Sequence, residues 1–119
     1  MLRITSFFFV FLLMAGLAKA APFIEGLEDV PMMDGMTQIK DSGVDFGNAE
    51  SRLVEVYLES VKLNFDEVKS FYQKTLPQLG WAPLKNDKNM VSFGREKEIM
   101  EFAKVESSPL QIRLTVKSK

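Results

Sequence analysis

The carboxyl-terminal segment alternates apolar and polar side chains more cleanly than any other part of the chain. Its apolar positions are Leu110, Ile112, Leu114 and Val116, and polar residues separate them. Since successive side chains of a strand point to opposite faces, this segment is predicted to be a strand with one buried face. A sheet of this kind needs a second layer of structure against its buried face.

The best candidate for that second layer is a helix that begins after Asn64. Asn64 and Glu67 have the spacing of a capping box, in which each side chain bonds the other residue's backbone N–H. Five apolar residues then recur at helical spacing: Phe65, Val68, Tyr72, Leu76 and Leu79. Pro77 disfavours helical geometry at Leu76, and Gly80 suits a left-handed cap.

Further strands are predicted on both sides of this helix. Short alternating or β-branched runs cover residues 44–46, 53–61, 81–84 and 90–95. Residues 96–106 fit a strand or a helix, and their position between two strand-like runs favours a strand. The predicted fold class is α+β, an antiparallel sheet of about five to six strands with one helix packed across one face.

The amino terminus has the pattern of an export signal. A basic start, an apolar run and the small residues Ala18 and Ala20 predict a cleaved signal peptide over residues 1–20. The alternative is an uncleaved anchor, although the run is shorter than the ~20 residues that span a bilayer. We expect an irregular Met-rich arm over residues 21–41 and a single α+β domain over residues 42–119. After cleavage, we expect a periplasmic or secreted protein without stable membrane insertion.

The amino-acid composition excludes several classes of catalytic and metal site. The chain contains no Cys and no His, which excludes Cys- and His-dependent zinc sites and Ser–His or Cys–His catalytic pairs. Removal of residues 1–20 leaves 13 basic and 16 acidic residues, so the net charge falls from −1 to −3. A basic patch is the usual footprint of a nucleic-acid-binding protein, so no nucleic-acid partner is expected. We also expect no cofactor, no metal ion and no enzymatic activity.

Three groups of residues have the composition of a site, and we expect each of them to be structural. Phe71, Tyr72 and Trp81 are expected to lie in the core, the alternative being an aromatic ligand platform. Glu55 and Glu59 are expected on a solvated strand face, the alternative being an acid/base pair. The acidic residues of the arm and its surroundings are expected to be solvated, the alternative being a calcium site: Glu25, Glu28, Asp29, Asp34, Asp41 and Asp45.

The most specific functional hypothesis concerns the sheet face opposite the helix. We expect Leu53, Tyr57, Met100 and Phe102 to form an apolar patch there, a common mark of a partner-binding surface. The favoured alternative is that the arm, over residues 30–39, covers this face to bury its own apolar side chains. An arm that lifts away to admit a partner is a third possibility, since Met-rich surfaces are adaptable.

Residues 71–81, FYQKTLPQLGW, resemble a segment of the form F-Y-x-x-x-L-P-x-L-G-W in small exported bacterial proteins, many of them alphaproteobacterial. Residues 30–36 and 51–55 also resemble stretches of those proteins. The resemblance implies a compact α+β domain in the cell envelope and transfers no catalytic residue. We therefore expect an exported, non-catalytic binding or accessory module with a protein partner in the envelope. The alternative is a periplasmic inhibitor protein or a weak hydrolase.

Overall fold

One helix lies across an antiparallel sheet in the computed structural model, which describes residues 22–40, 43–47 and 51–119. The predicted signal peptide lies outside the described residues. The helix and strands, in chain order, are β1 (Phe23–Ile24), β2 (Leu27–Pro31), β3 (Thr37–Gln38), β4 (Val44–Gly47), β5 (Arg52–Ser60), α1 (Phe65–Thr75), β6 (Ala82–Asn86), β7 (Met90–Arg95), β8 (Glu98–Ser107) and β9 (Leu110–Ser118).

Seven of the described strands form one sheet, in the order β3-β5-β9-β8-β7-β6, with β4 also paired to β5. Every pair in it is antiparallel. The predicted α+β class and the single helix on one face are confirmed. Residues 96–106 lie largely in β8, so the prediction of a strand there is also correct. The sheet has one strand more than expected because β3 comes from the arm.

The helix begins and ends where its sequence predicts. The amide of Glu67 donates to Asn64 Oδ1 over 2.9 Å, and the amide of Asn64 donates to Glu67 Oε1 over 2.9 Å. These two bonds complete the capping box. After Thr75 the chain tightens into a 3₁₀ turn that contains Pro77, and Gly80 ends it with φ of 95°. A left-handed residue at that point favours glycine, which has no Cβ to clash.

The order of the strands explains why the helix crosses the sheet from β5 to β6. It follows β5 and precedes β6, and three strands (β9, β8 and β7) lie between these two. Neighbouring strands are about 4.8 Å apart, so the chain must travel about 19 Å. The 11 residues of α1 span about 16 Å at 1.5 Å per residue, and the 3₁₀ turn covers the remainder.

The core lies between this helix and the sheet. Val68, Tyr72 and Leu76 of the helical segment are fully buried. Tyr72 stacks on Phe102 of β8 with 4.4 Å between ring centroids. The strand residues that face the helix are also buried, and from β9 they are Leu110, Ile112, Leu114 and Val116. The alternation of β9 therefore places its apolar side chains as the sequence predicts.

The arm is more regular than expected. Its first part is a two-stranded hairpin, β1 with β2, and its last part adds β3 to the main sheet. The prediction of an irregular arm is wrong because strand pairing satisfies backbone groups that a packed, irregular arm would leave without partners. Ile24, Leu27, Val30 and Met36 are buried in the same core as the helix.

The two edges of the sheet carry short or interrupted strands. On one side, β3 and β4 have two and four residues and lie end to end along β5. On the other side, β6 contains Pro83, and its register with β7 shifts between Pro83 and Lys85. Proline, a bulge and lysine are features that natural proteins use to blunt an exposed edge.

Candidate functional site

The side of the sheet away from the helix, called here the open face, is the first candidate surface. Residues directly opposite each other in neighbouring strands point to the same side. Val54, Val56 and Leu58 point toward the helix, so the intervening residues of β5 lie on the open face. None of the described elements packs on this face, because α1 and the β1–β2 hairpin both lie on the other side.

Two of the four predicted partner-binding residues lie on the open face. Leu53 and Tyr57 are there and are partly buried by their neighbours. The prediction for Met100 and Phe102 is wrong, since both side chains are 0% exposed. They pair with Val116 and Leu114, which point toward the helix, so the register of β8 turns them into the core.

The arm does not cover the open face either, so the favoured alternative is also wrong. A Cβ placed on Gly26, in the turn of the β1–β2 hairpin, would lie 3.9 Å from Val54 and from Val56. At the end of β2, the carbonyl of Pro31 accepts a hydrogen bond of 2.7 Å from Tyr72 Oη of the helix. The arm therefore packs beside the helix, where its apolar side chains join the core.

An apolar row crosses the open face from β4 to β6. Phe46 lies opposite Leu53, Leu53 opposite Lys117, and Lys117 opposite Ile99. Ile99 lies opposite Gly94, and the side chain of Leu84 lies over that glycine: a Cβ added there would be 3.0 Å from Leu84 Cδ1. We call Phe46, Leu53, Ile99 and Leu84 the apolar row.

The ends of the apolar row are its most exposed members. Phe46 is 60% exposed and Leu84 is 56% exposed. Sequence inspection identified Leu53 but missed the other three, because the row exists only through the pairing of strands that are distant in the chain. The one local signal was the presence of apolar residues at both parities in β8.

Polar side chains cover the middle of the open face. Glu55 Oε1 is 3.5 Å from Tyr57 Oη, and Lys117 Nζ is 3.7 Å from Glu101 Oε1. Glu55 and Glu59 lie on this same flat surface as neighbours of one strand. Glu55 also lines a cavity of about 350 Å³ at the edge of the sheet, and Glu59 is not among the residues that line it. Catalytic carboxylates work in a cleft that holds substrate between them, and this pair does not share one.

The aromatic group belongs mainly to the core, as the sequence predicts. Tyr72 and Trp81 are 0% and 1% exposed, and Phe71 is partly buried at the edge of the core. The guanidinium of Arg95 lies 4.2 Å from the ring centre of Trp81 and 2.8 Å from Asp29 of β2. Burial raises the pKa of the Tyr72 phenol above its ordinary value.

Two of the six predicted acidic residues, Glu25 and Asp45, line one cavity at the edge of the sheet. Asp29 pairs with Arg95, and Glu28 accepts a bond from the amide of Gly26. Asp41 lies outside the described residues. Across the ranges that the structure describes, no group of three or more carboxylates is arranged to hold a metal ion.

The second candidate surface is a groove on the helix side of the molecule, where the loop from β2 to β3 meets Phe71. This methionine groove has a volume of about 470 Å³. The side chains of the loop and its flanks line it: Pro22, Pro31, Met32, Met33, Asp34, Gly35, Met36 and Phe71. The sequence predicts that these methionines are buried with the arm or lift away with it to admit a partner, and it does not predict the groove itself.

No helix among the described residues is long and apolar enough to cross a membrane. Comparison of the chain with protein-family models, curated proteins and solved structures gives no match. Function is therefore inferred from the open face and the methionine groove.

Proposed function

We propose that this chain is an exported, non-catalytic binding module of the bacterial cell envelope, and that a protein partner docks on the apolar row of the open face. Export is inferred from the pattern of residues 1–20. The absence of His and Cys from the sequence removes the commonest nucleophile–base pairs and supports a non-catalytic role.

The observation that carries the proposal is the exposure of the apolar row. Phe46 and Leu84 lie at opposite ends of it, and more than half of each side chain is exposed. Single exposed apolar residues are common, whereas a set of apolar residues aligned across one face and flanked by charged residues is typical of an interaction surface. Glu55 and Glu101 flank the row, and Lys117 lies within it between Leu53 and Ile99.

The alternative functions have weaker support. An inhibitor would present a protruding loop, for which the sequence suggests residues 85–89. Lys69 of the helix instead binds this loop, donating to Asn86 Oδ1 over 3.1 Å and to the carbonyl of Asp87 over 2.8 Å. A hydrolase needs a pair of carboxylates that converge in one cleft, and of the two candidates only Glu55 lines the cavity at the edge of the sheet.

Photo-crosslinking in intact cells tests the proposal. We expect p-benzoylphenylalanine in place of Phe46 or of Leu84 to capture the same partner on irradiation, because both positions lie on one surface. The same group in place of Val61 is the matched control, since Val61 is 91% exposed but lies beyond the end of β5. Captured proteins are identified by mass spectrometry.

A Phe46→Ser, Leu84→Ser variant then tests whether the apolar row supplies the binding energy. With the crosslinker at position 99, this double variant should lose most of the captured partner and keep its thermal unfolding temperature, because both changed side chains are exposed. Equal capture from the row and from position 61, or no specific capture from the row, would contradict the proposal.

A further inference from the structure

Three methionines line the methionine groove. Met32, Met33 and Met36 occupy a five-residue loop, and all three line the groove together with Phe71. Met36 is 6% exposed, while Met32 and Met33 are partly buried against the core. The three methionines are therefore close in the sequence and also line the same cavity.

The backbone of this loop is fixed at three points. The carbonyl of Pro31 accepts a bond from Tyr72, and the amide of Met32 donates to the carbonyl of Pro22 over 2.9 Å. The amide of Met36 donates to the carbonyl of Met33 over 3.0 Å, which closes a β-turn. In such a turn the first and fourth Cα atoms lie within about 7 Å, so the turn holds these two methionines as neighbours.

Gly35 makes this turn possible. Its φ is +99°, a value that side-chain-bearing residues rarely adopt, and it occupies the third position of the turn. A Cβ at this position would lie 3.0 Å from Lys62 and 3.1 Å from Leu63. Both backbone conformation and close packing therefore favour glycine here, and the loop that presents the methionines is held in one shape.

The chemistry of these ligands selects a particular class of metal ion. Thioether sulfur is a soft donor, and soft donors favour Cu(I) over hard cations such as calcium and magnesium. The carboxylate of Asp34 also lines the groove and offers a compensating negative charge. Since the sequence has no Cys or His, methionines are its only sulfur ligands, and a soft ion has no thiolate or imidazole competitor within the chain.

We propose that Met32, Met33 and Met36 form a binding site for a soft monovalent metal ion, Cu(I), in the methionine groove. The site lies on the helix side of the sheet and is separate from the open face. It depends neither on the identity of a protein partner nor on the apolar row.

Silver(I) is the probe for the test, because it has the same charge and softness and does not change oxidation state in air. The protein is isolated as cells process it, labelled with [methyl-¹³C]methionine and titrated with silver nitrate. We expect one silver ion per chain by native mass spectrometry. The methyl resonances of Met32, Met33 and Met36 should shift, while those of Met90 and Met100 stay in place.

Single substitutions complete the test. Met32→Leu and Met33→Leu should each weaken silver binding by about tenfold or more, since loss of even an outer-shell partner costs 10–100-fold at metal sites. Met90→Leu is the matched control and should bind silver as the wild type does. Leucine preserves apolar volume, so the variants are expected to fold, and circular dichroism checks this.

The wild-type titration decides the proposal even if a variant fails to fold. Shifts of all five methionine methyls together would indicate adventitious silver only and would overturn it. Silver binding without movement of the three groove methyls would overturn it as well, as would equal binding by Met33→Leu and the wild type.

Discussion

Tyr72 connects the helix to the arm through both its ring and its phenol. The ring stacks on Phe102, and Oη donates to the carbonyl of Pro31 at the end of β2. Buried hydroxyls are costly unless they find a partner, and this one uses a carbonyl of the loop that carries the groove methionines. One side chain thus fixes the core and the start of the methionine loop.

The stability of the protein should depend on Tyr72 at alkaline pH. Burial raises the pKa of this phenol above its ordinary value of 10.0, so the folded state keeps a proton that the unfolded state releases. Its contribution is complete below pH 10 and is lost as the pH rises further. The loss approaches about 1.4 kcal/mol per pH unit while the folded phenol remains protonated.

Urea unfolding of the wild type and Tyr72→Phe between pH 7 and pH 11 measures this effect. Near pH 7 the variant should be about 0.5–1.5 kcal/mol less stable, because it lacks the bond to Pro31. Above pH 10 the gap should narrow, since phenylalanine has no proton to lose. If the free energies of unfolding of the two proteins changed in parallel from pH 7 to pH 11, the raised pKa of Tyr72 would be contradicted.

The individual helix and strands differ in how completely the sequence specified them. Helix α1 was predictable to the residue at its start, because Asn64 and Glu67 cap it through local bonds. Strand β9 was predictable in its orientation because only one of its faces is apolar. The orientation of β8 was not, since Ile99, Met100, Phe102 and Ala103 supply apolar residues at both parities, and only pairing with β9 decides between them.

The structure of the arm and the composition of the candidate surfaces could not be predicted from local sequence patterns, because both depend on pairing between strands that are distant in the chain. Strand β3 has two residues and forms only because Thr37 and Gln38 meet Glu59 and Leu58 of β5. A stretch of two residues carries no periodicity for a sequence pattern to reveal. The apolar row likewise combines residues from β4, β5, β6 and β8, whose neighbourhood is a property of the assembled sheet.

Alanine substitutions test the orientation of β8. Phe102→Ala should destabilise the protein by about 3–5 kcal/mol, because it removes a ring that contacts Tyr72 and Phe93 within the core. Phe46→Ala is the matched control on the open face and should cost less than about 1 kcal/mol. Chemical denaturation measures both, and similar losses would show that β8 does not turn Phe102 into the core.

At the scale of the whole molecule, one core on one side of the sheet stabilises the fold. The sequence offers no cysteine for a disulfide, although small exported domains commonly rely on disulfides. The helix and the arm together cover the buried face of the sheet, and the arm joins directly to the predicted signal peptide. Cleavage after residue 20 would therefore leave the arm's first strand, β1, close to the new amino terminus.

Intact-mass measurement on protein released from the periplasm tests the export proposal. We expect the mass of residues 21–119, because Ala18 and Ala20 fit the small-residue cleavage pattern. An Ala18→Arg, Ala20→Arg variant should keep the leader, since bulky charged residues do not fit that pattern. A released protein that retains residues 1–20, or a wild-type protein found only in the cytoplasm, would contradict export with cleavage.

The blunted edges of the sheet restrict how any partner can bind. Partners that add a strand to a sheet need a long row of free backbone N–H and C=O groups. Here β3 and β4 divide one edge into segments of two and four residues. At the other edge, Pro83 lacks an N–H, and the bulge after it interrupts the regular spacing of backbone hydrogen-bonding groups along β6. A strand-donating peptide or a second copy paired edge to edge finds no continuous template along the described strands, which leaves the side chains of the faces for the recognition that we propose.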